Sequence, residues 1–186
     1  LWSADTIDLN DFWIKAGLAD DYKTGTLSFS AKIANHGTAE TTATVNLTLT
    51  SPDGNLITLP PVAVKVPAGE AVEESVSLND IPAVKAWSAE VPNLYDYQIT
   101  LTNSSGKEIA HHAGKTGFRR NEVKNGQLLH NGQPILIKGV NRHDHNPKTG
   151  HYCTREDIRA DLLQMKRGNI NAVRTSHYPN DPALVE

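Results

Sequence analysis

Two stretches near the C-terminus determine how this chain folds. They read Gly-Val-Asn-Arg-His-Asp-His-Asn-Pro at residues 139–147 and Asn-Ala-Val-Arg-Thr-Ser-His-Tyr-Pro at residues 171–179. Each begins with the apolar residues of a short strand and continues into a cluster of Arg and His. Parallel strands joined by a helix end at the same rim of a sheet, so the two clusters should lie side by side. The pattern predicts a βαβ unit whose polar rim is the mouth of an active site.

The segment between these stretches has the pattern of a helix. Thr154 and Asp157 have the spacing of a capping box, and acidic residues in the first turn suit the helix dipole. Gly168 is predicted to end the helix in a left-handed conformation. The apolar positions that form the predicted buried stripe are Ile158, Leu162, Leu163 and Met165.

The residues just before the first stretch predict a ribbon and a buried strand. Two Asn-Gly pairs, at 125–126 and 131–132, bracket apolar residues, which is a strong hairpin signal. The run Ile135–Val140 is almost continuously apolar and is therefore predicted to be a strand that is buried on both faces.

The first part of the chain has a different pattern. Short runs rich in β-branched residues alternate with turn signals about every ten residues. The predicted strands are residues 26–34, 44–50, 62–66, 73–78 and 97–102. This spacing predicts an immunoglobulin-like β-sandwich over residues 1–117. Residues 118–186 form a second predicted segment, which contains the ribbon and the βαβ unit.

Composition limits the partners that can be expected. The chain has 186 residues, and its 18 Lys and Arg and 21 Asp and Glu give a formal net charge of −3. Because there is no basic run, neither nucleic acid nor an anionic membrane surface is expected as a partner. No apolar stretch approaches the ~18 residues of a membrane span.

The predicted compartment is the cytoplasm. Cys153 is the only cysteine, so no internal disulfide links the chain to an oxidising compartment. The chain begins Leu-Trp-Ser without an initiator Met, which indicates an excised piece, and the lack of a signal peptide therefore says little about export.

Two histidines are the strongest candidates for contact with a ligand. His143 follows the first predicted barrel strand and His177 follows the second, and adjacent strands lie about 4.8 Å apart. Both imidazoles could therefore reach one ligand. A single His at a strand end more often caps a carbonyl group, but equivalent positions on consecutive strands favour binding.

The neighbouring polar residues divide into binding and supporting candidates. Arg174 lies inside a predicted strand, where a buried guanidinium needs a carboxylate partner from another strand. Arg142 is predicted to form a structural salt bridge. Asp144 and His145 are predicted to order the loop.

The chain resembles glycoside hydrolase family 2, and within it the β-galactosidases. Five linked motifs carry the resemblance: Trp87–Tyr95, Thr116–Arg119, Asn131–Pro134, and the two stretches at 139–147 and 171–179. They cover the end of the sandwich and the second segment, whereas residues 1–80 match only in general pattern. The resemblance implies that residues 118–186 are the N-terminal part of a TIM-barrel catalytic domain, truncated after its first βαβ unit. One departure is Asp144, where the family usually has Glu.

The resemblance implies retaining hydrolysis of terminal β-galactosides such as lactose, through two carboxyl groups about 5 to 5.5 Å apart. It places the nucleophile and the acid/base on later barrel strands, together with the principal ligands of Mg²⁺, with Na⁺ as a further candidate cofactor. No catalytic carboxylate and no metal ligand is therefore assigned in this chain. It also implies a homo-oligomeric intact enzyme.

By the same resemblance, His143 and His177 donate to galactose hydroxyl groups and Arg174 orients the nucleophile. Asn141 and Arg142 hold these residues in position without contacting the sugar themselves. The chain alone is expected to be inactive.

Three other interpretations remain open. The motif around His177 is shared with β-glucuronidases. The pair His143 and His145 could bind a metal in a metal-dependent hydrolase barrel. The sandwich could be a non-catalytic sugar-binding module, although this leaves the C-terminal stretches without a role.

Overall fold

The computed structural model describes residues 5–185 and divides the chain into two compact units, Leu1–Pro134 and Ile135–Glu186. The first unit consists of a β-sandwich and a small ribbon, and the second of a βαβ unit. The ribbon groups with the sandwich in this division, but packing on the sandwich does not decide to which domain a ribbon belongs. The predicted domain boundary after residue 117 therefore stays a prediction.

Two antiparallel sheets form the sandwich. The first sheet has the order β1–β2–β6, with the bounds Ile7–Leu18, Gly25–Asn35 and Ala71–Ile81. The second has the order β4–β3–β7–β8, and β5 also pairs with β3. The bounds of β3, β4, β5, β7 and β8 are Thr41–Thr50, Leu56–Thr58, Val62–Val66, Tyr95–Asn103 and Glu108–Thr116. All five predicted strands lie within these elements, whereas β1, β4 and β8 were not predicted.

Alternating side chains of the two sheets build the core. In β3, every second residue from Ala43 to Leu49 is buried, because successive side chains of a strand point to opposite faces. Tyr95 closes one part of this core, with its ring centroid 4.9 Å from that of Phe118. The Tyr95 hydroxyl accepts the backbone N–H of Lys85 at 2.8 Å. Tyr95 therefore has a structural role in the core of the sandwich.

The predicted ribbon is present in the first unit. Its strands are β9 (Asn121–Lys124), β10 (Gln127–His130) and β11 (Gln133–Pro134). Both Asn-Gly pairs have positive φ at both residues, as tight hairpin turns require. Arg120 links the ribbon to the β1–β2 turn, since its guanidinium lies 2.6 Å from Asp20 and 3.0 Å from Glu122.

The second unit contains β12 (Gly139–Arg142), α1 (Arg155–Arg167), β13 (Ala172–Thr175) and a 3₁₀ turn at Pro182–Leu184. The two strands pair in parallel, which confirms the predicted βαβ unit. The capping box is also confirmed, because Thr154 and Asp157 exchange side-chain to backbone hydrogen bonds. No helix within residues 5–185 is long and apolar enough to cross a membrane.

Two local predictions in this unit are wrong. The first concerns Ile135–Val140, because residues 135–138 form no strand and Leu136 is 74% exposed. A strand that is buried on both faces needs neighbours on each side, and among residues 5–185 β12 pairs with β13 alone. The second concerns Gly168, whose φ is −79°. The left-handed residue is instead Asn169, with a φ of 55°.

Candidate functional site

The parallel pairing of β12 and β13 brings two predicted site residues together. The register aligns Asn141 with Arg174 and Arg142 with Thr175, so both strands end at the same level. His143 and His177 follow these ends, with ring centroids 5.5 Å apart and ring planes at 89°. Both side chains are exposed, and two imidazoles are thus available to one ligand.

A tyrosine and two further histidines continue this group of rings. The Tyr178 ring lies 6.2 Å from that of His143 and 6.4 Å from that of His151. His145 in turn lies 5.5 Å from His151. The Tyr178 hydroxyl accepts the backbone N–H of Asp144 at 3.0 Å, so the loop after β12 is tied to the loop after β13.

Arg142, the last residue of β12, is buried and forms the predicted salt bridge. Its residue is only 4% exposed, and its guanidinium donates to Asp144 and to Asp161, the latter at 3.0 Å. Burial disfavours the charged guanidinium, but these two hydrogen bonds outweigh it and raise the pKa of Arg142 above its usual value. Arg142 therefore stays charged and holds the end of β12.

Asp144 orders the loop by accepting from both sides. One oxygen accepts from Arg142, and the other accepts from the Asn180 side-chain amide at 2.7 Å. Burial acts to raise the pKa of Asp144, but the hydrogen bonds and the charge of Arg142 prevail and lower it. Both strand-end loops are thus fixed to one carboxylate.

Arg174 and Asn141 lie side by side on β13 and β12, and both are exposed. Within residues 5–185, the Arg174 guanidinium has no carboxylate partner. The prediction that Arg174 is buried is therefore wrong, because no further strand among the described residues covers its position. Its charge is available to a group outside the described residues.

The described residues do not provide a metal site. Within residues 5–185, no three His, Cys, Asp or Glu side chains are arranged to hold an ion. His143 packs against His177, whereas His145 packs against His151. His143 and His145, the two ligands of the metal-dependent alternative, thus lie in two separate imidazole pairs. Mg²⁺ stays a prediction for the intact enzyme, with its principal ligands expected outside this chain.

Sequence reasoning missed three members of this network: Asp161, Asn180 and Tyr178. Asp161 could have been found, because it stands three residues after buried Ile158 on the inward stripe of α1, where an acid implies a buried cation. Tyr178 lies inside the second motif. Nothing in the sequence distinguishes Asn180 from an ordinary loop residue.

Comparison with known proteins gives matches along both units. The profile of glycosyl hydrolases family 2 matches residues 7–119, and that of the TIM barrel domain of the same family matches residues 121–186. A β-galactosidase of Photobacterium profundum is 39% identical over 186 residues, which cover 96% of this chain and 17% of that protein. The chain thus spans about a sixth of the length of this relative.

Solved structures share the same fold. A β-glucuronidase of Bacteroides uniformis matches 98% of this chain with a TM-score of 0.87 and 26% identity, and this chain covers 23% of it. A family 2 β-galacturonidase of Eisenbergiella tayi matches 98% of the chain with a TM-score of 0.82, 23% identity and 30% coverage of its own length. With the two profiles and the identity across nearly the whole chain, the sequence belongs to glycosyl hydrolases family 2, of which it contains the β-sandwich and the start of the TIM barrel.

Proposed function

We propose that this chain is part of a retaining β-galactosidase that hydrolyses terminal non-reducing β-D-galactosides such as lactose. The relatives that support this proposal are β-galactosidases, two of which are 39% identical over almost the whole chain. The family membership supports glycoside hydrolysis in general. The choice of galactose as the sugar rests on these relatives and on the motif that contains His143.

The observation that carries the proposal is the pair of imidazoles at the strand ends, 5.5 Å apart and perpendicular. Imidazole nitrogens can donate to sugar hydroxyl groups, and two rings at right angles can address two hydroxyls of one pyranose. Hydrogen bonds of this kind strengthen as the ring distorts toward an oxocarbenium ion. His143 and His177 would then stabilise the transition state more than the bound substrate.

The remaining roles follow the same proposal. Arg174 orients the nucleophile, which is consistent with a free, exposed guanidinium on β13. Asn141 and Arg142 support the two imidazoles from β12. The nucleophile and the acid/base are assigned to other parts of the protein, and so are the ligands of Mg²⁺ and Na⁺. Homo-oligomerisation and a cytoplasmic location remain predictions for the intact enzyme.

The intact protein tests the substrate class. We expect its kcat/KM for nitrophenyl β-galactoside to exceed that for nitrophenyl β-glucuronide by at least about 100-fold, because the uronate carboxylate has to be desolvated beside unmatched groups. The reverse preference would support a β-glucuronidase, the activity of the Bacteroides uniformis structure. No hydrolysis of either substrate would refute the proposal.

The 186-residue chain tests the assignment of the carboxylates. Alone, it should hydrolyse nitrophenyl β-galactoside no faster than buffer, since no general acid and nucleophile pair is assigned within it. Activity that copurifies with the chain, and that disappears when one of its own acids is replaced by an amide, would contradict this assignment.

A further inference from the structure

The outward face of the first sheet carries one large aromatic side chain among polar residues. Trp13, in the middle of β1, is 61% exposed. In the register of the sheet it stands beside Ser30 of β2, which pairs with Ser75 of β6. The other residues of this face are Asp11, Lys15, Ser28, Lys32, Glu73 and Ser77. We call these nine residues the Trp13 face.

The composition of the Trp13 face argues against a protein partner. The centre of a protein interface usually combines several apolar side chains and is depleted of Lys, Glu, Asp and Ser. Here Trp13 is the single apolar residue among nine. A surface of this kind suits a ligand that has one apolar patch and many hydroxyl groups.

A hollow adjoins the indole on the side of Asp11. Its volume is about 100 Å³, and its lining includes Asp11, Trp13, Ser30, Lys32 and Glu73. Within residues 5–185, the side chains of Lys32 and Glu73 have no ion-pair or hydrogen-bond partner. The hollow therefore offers a free donor and a free acceptor next to an aromatic wall.

One face of the indole is partly covered by Lys15. The Lys15 ammonium lies 3.6 Å from the centroid of the Trp13 ring. Beyond Lys15, a wider concavity of about 470 Å³ is lined by Gly17, Ser28, Ser77 and Asn79 among others. An extended ligand could thus continue past the indole along the strand.

We propose that the Trp13 face is a binding surface for neutral β-linked oligosaccharides, with one pyranose stacked on the indole. The C–H face of the sugar would pack on the ring, while its hydroxyls donate to Glu73 and accept from Lys32 and Ser30. Such a surface would hold a glycan on the sandwich, which goes beyond hydrolysis at the strand-end histidines.

The test is an NMR titration of the full 186-residue chain that follows the indole N–H of Trp13 and the backbone amides of Ser30 and Ser75, which remain as reporters in Trp13→Ala. The ligands are lactose and a β-linked galactotetraose, with glucuronate as the charged comparison. We expect a saturable shift with a dissociation constant on the order of 1 mM, tighter for the tetraose. Binding should weaken at least about 10-fold in Trp13→Ala and less in Glu73→Gln.

Two control variants test whether binding depends on the Trp13 face. Leu56→Ala removes an exposed apolar side chain, 69% accessible, from the other sheet and should leave binding unchanged. The double variant His143→Ala/His177→Ala should also keep the Trp13 shift, so this proposal and the proposed galactosidase activity can fail separately.

Three outcomes would overturn the proposal. The indole signal could fail to saturate with any of the sugars, or its shift could vanish in the double His variant. Alternatively, Trp13→Ala could change the sedimentation of the chain while no sugar perturbs the indole, and the face would then be a contact between copies of the protein.

Discussion

The two compact units of this chain are stabilised in different ways. The sandwich has a continuous core of buried apolar side chains drawn from both sheets, including Phe29, Leu47 and Ile99. In the described part of the second unit, Ile158 is the only apolar residue that is buried, whereas Arg142 and Ser176 are buried polar residues. One unit therefore depends on apolar burial and the other on a charged network.

This difference shows whether each unit can bury its apolar side chains without further elements. A sandwich closes its core with its own two sheets. A parallel strand pair with one helix leaves apolar positions such as Leu136 and Val173 exposed. The second unit should consequently open more readily than the sandwich.

The largest expected effect is the loss of a core side chain from the sandwich. Phe29 is 2% exposed, and Phe29→Ala should lower the free energy of unfolding by about 3 to 5 kcal/mol through lost burial and a cavity. Leu163→Ala, at a helix position that is 38% exposed, should cost less than about 1 kcal/mol. Urea unfolding of both variants measures the contrast, and equal costs would contradict it.

A smaller effect is expected from the charged network. Asp144→Asn removes the charge that faces buried Arg142 and should destabilise the second unit by about 1.5 to 3 kcal/mol. Asp161→Asn is the matched control, because the Asp161 side chain is 48% exposed and water can replace it. Hydrogen exchange of the β12 and β13 amides reports the loss, and unaltered protection in Asp144→Asn would show that the network is dispensable.

The same carboxylate predicts a dependence on pH. The pKa of Asp144 is lower in the folded chain than in the unfolded chain, so the unfolded state takes up the proton first as pH falls. The stabilisation is complete above the unfolded-state pKa of about 3.9 and is lost as pH falls through the folded-state pKa. β12 and β13 should thus lose protection in acid, and Asp144→Asn should lack this particular loss. An identical acid response in both proteins would exclude Asp144 as its source.

The smallest expected effect concerns the start of α1. Thr154→Ala removes the side-chain acceptor for the Asp157 backbone N–H and should cost about 1 kcal/mol, whereas Thr154→Ser keeps the hydroxyl and most of the stability. Exchange rates of the first-turn amides measure the difference. Equal rates in the two variants would mean that other contacts fix the helix start.

Local patterns predicted the elements whose partners lie nearby in the fold. The alternation of β3, the Asn-Gly turns of the ribbon and the Thr154 capping box were all evident from the sequence, because their energetics are local or involve a regular core. The convergence of His143 and His177 followed from the rule that parallel strands end at one rim.

The failures all depend on partners that a local pattern cannot identify. The run that begins at Ile135 has the composition of a buried strand, yet burial requires neighbouring strands that residues 5–185 do not supply. Asn180 joins the site because a distant loop brings its amide to Asp144. The prediction that Arg174 is buried was wrong for the same reason as the prediction for Ile135, namely that the described residues supply no neighbouring strand to cover it.

The central claim is that His143 and His177 bind the sugar rather than stabilise the fold. The most direct test compares His143→Ala and His177→Ala with the wild type in the intact enzyme by kcat, KM and thermal midpoint. His111→Ala, at an exposed position of β8, is the control. The claim predicts that kcat falls about ten- to a hundredfold in either variant, the equivalent of roughly 1.5 to 3 kcal/mol, with a smaller change in KM and an unaltered midpoint. A lowered midpoint with unchanged kcat per folded molecule would contradict it.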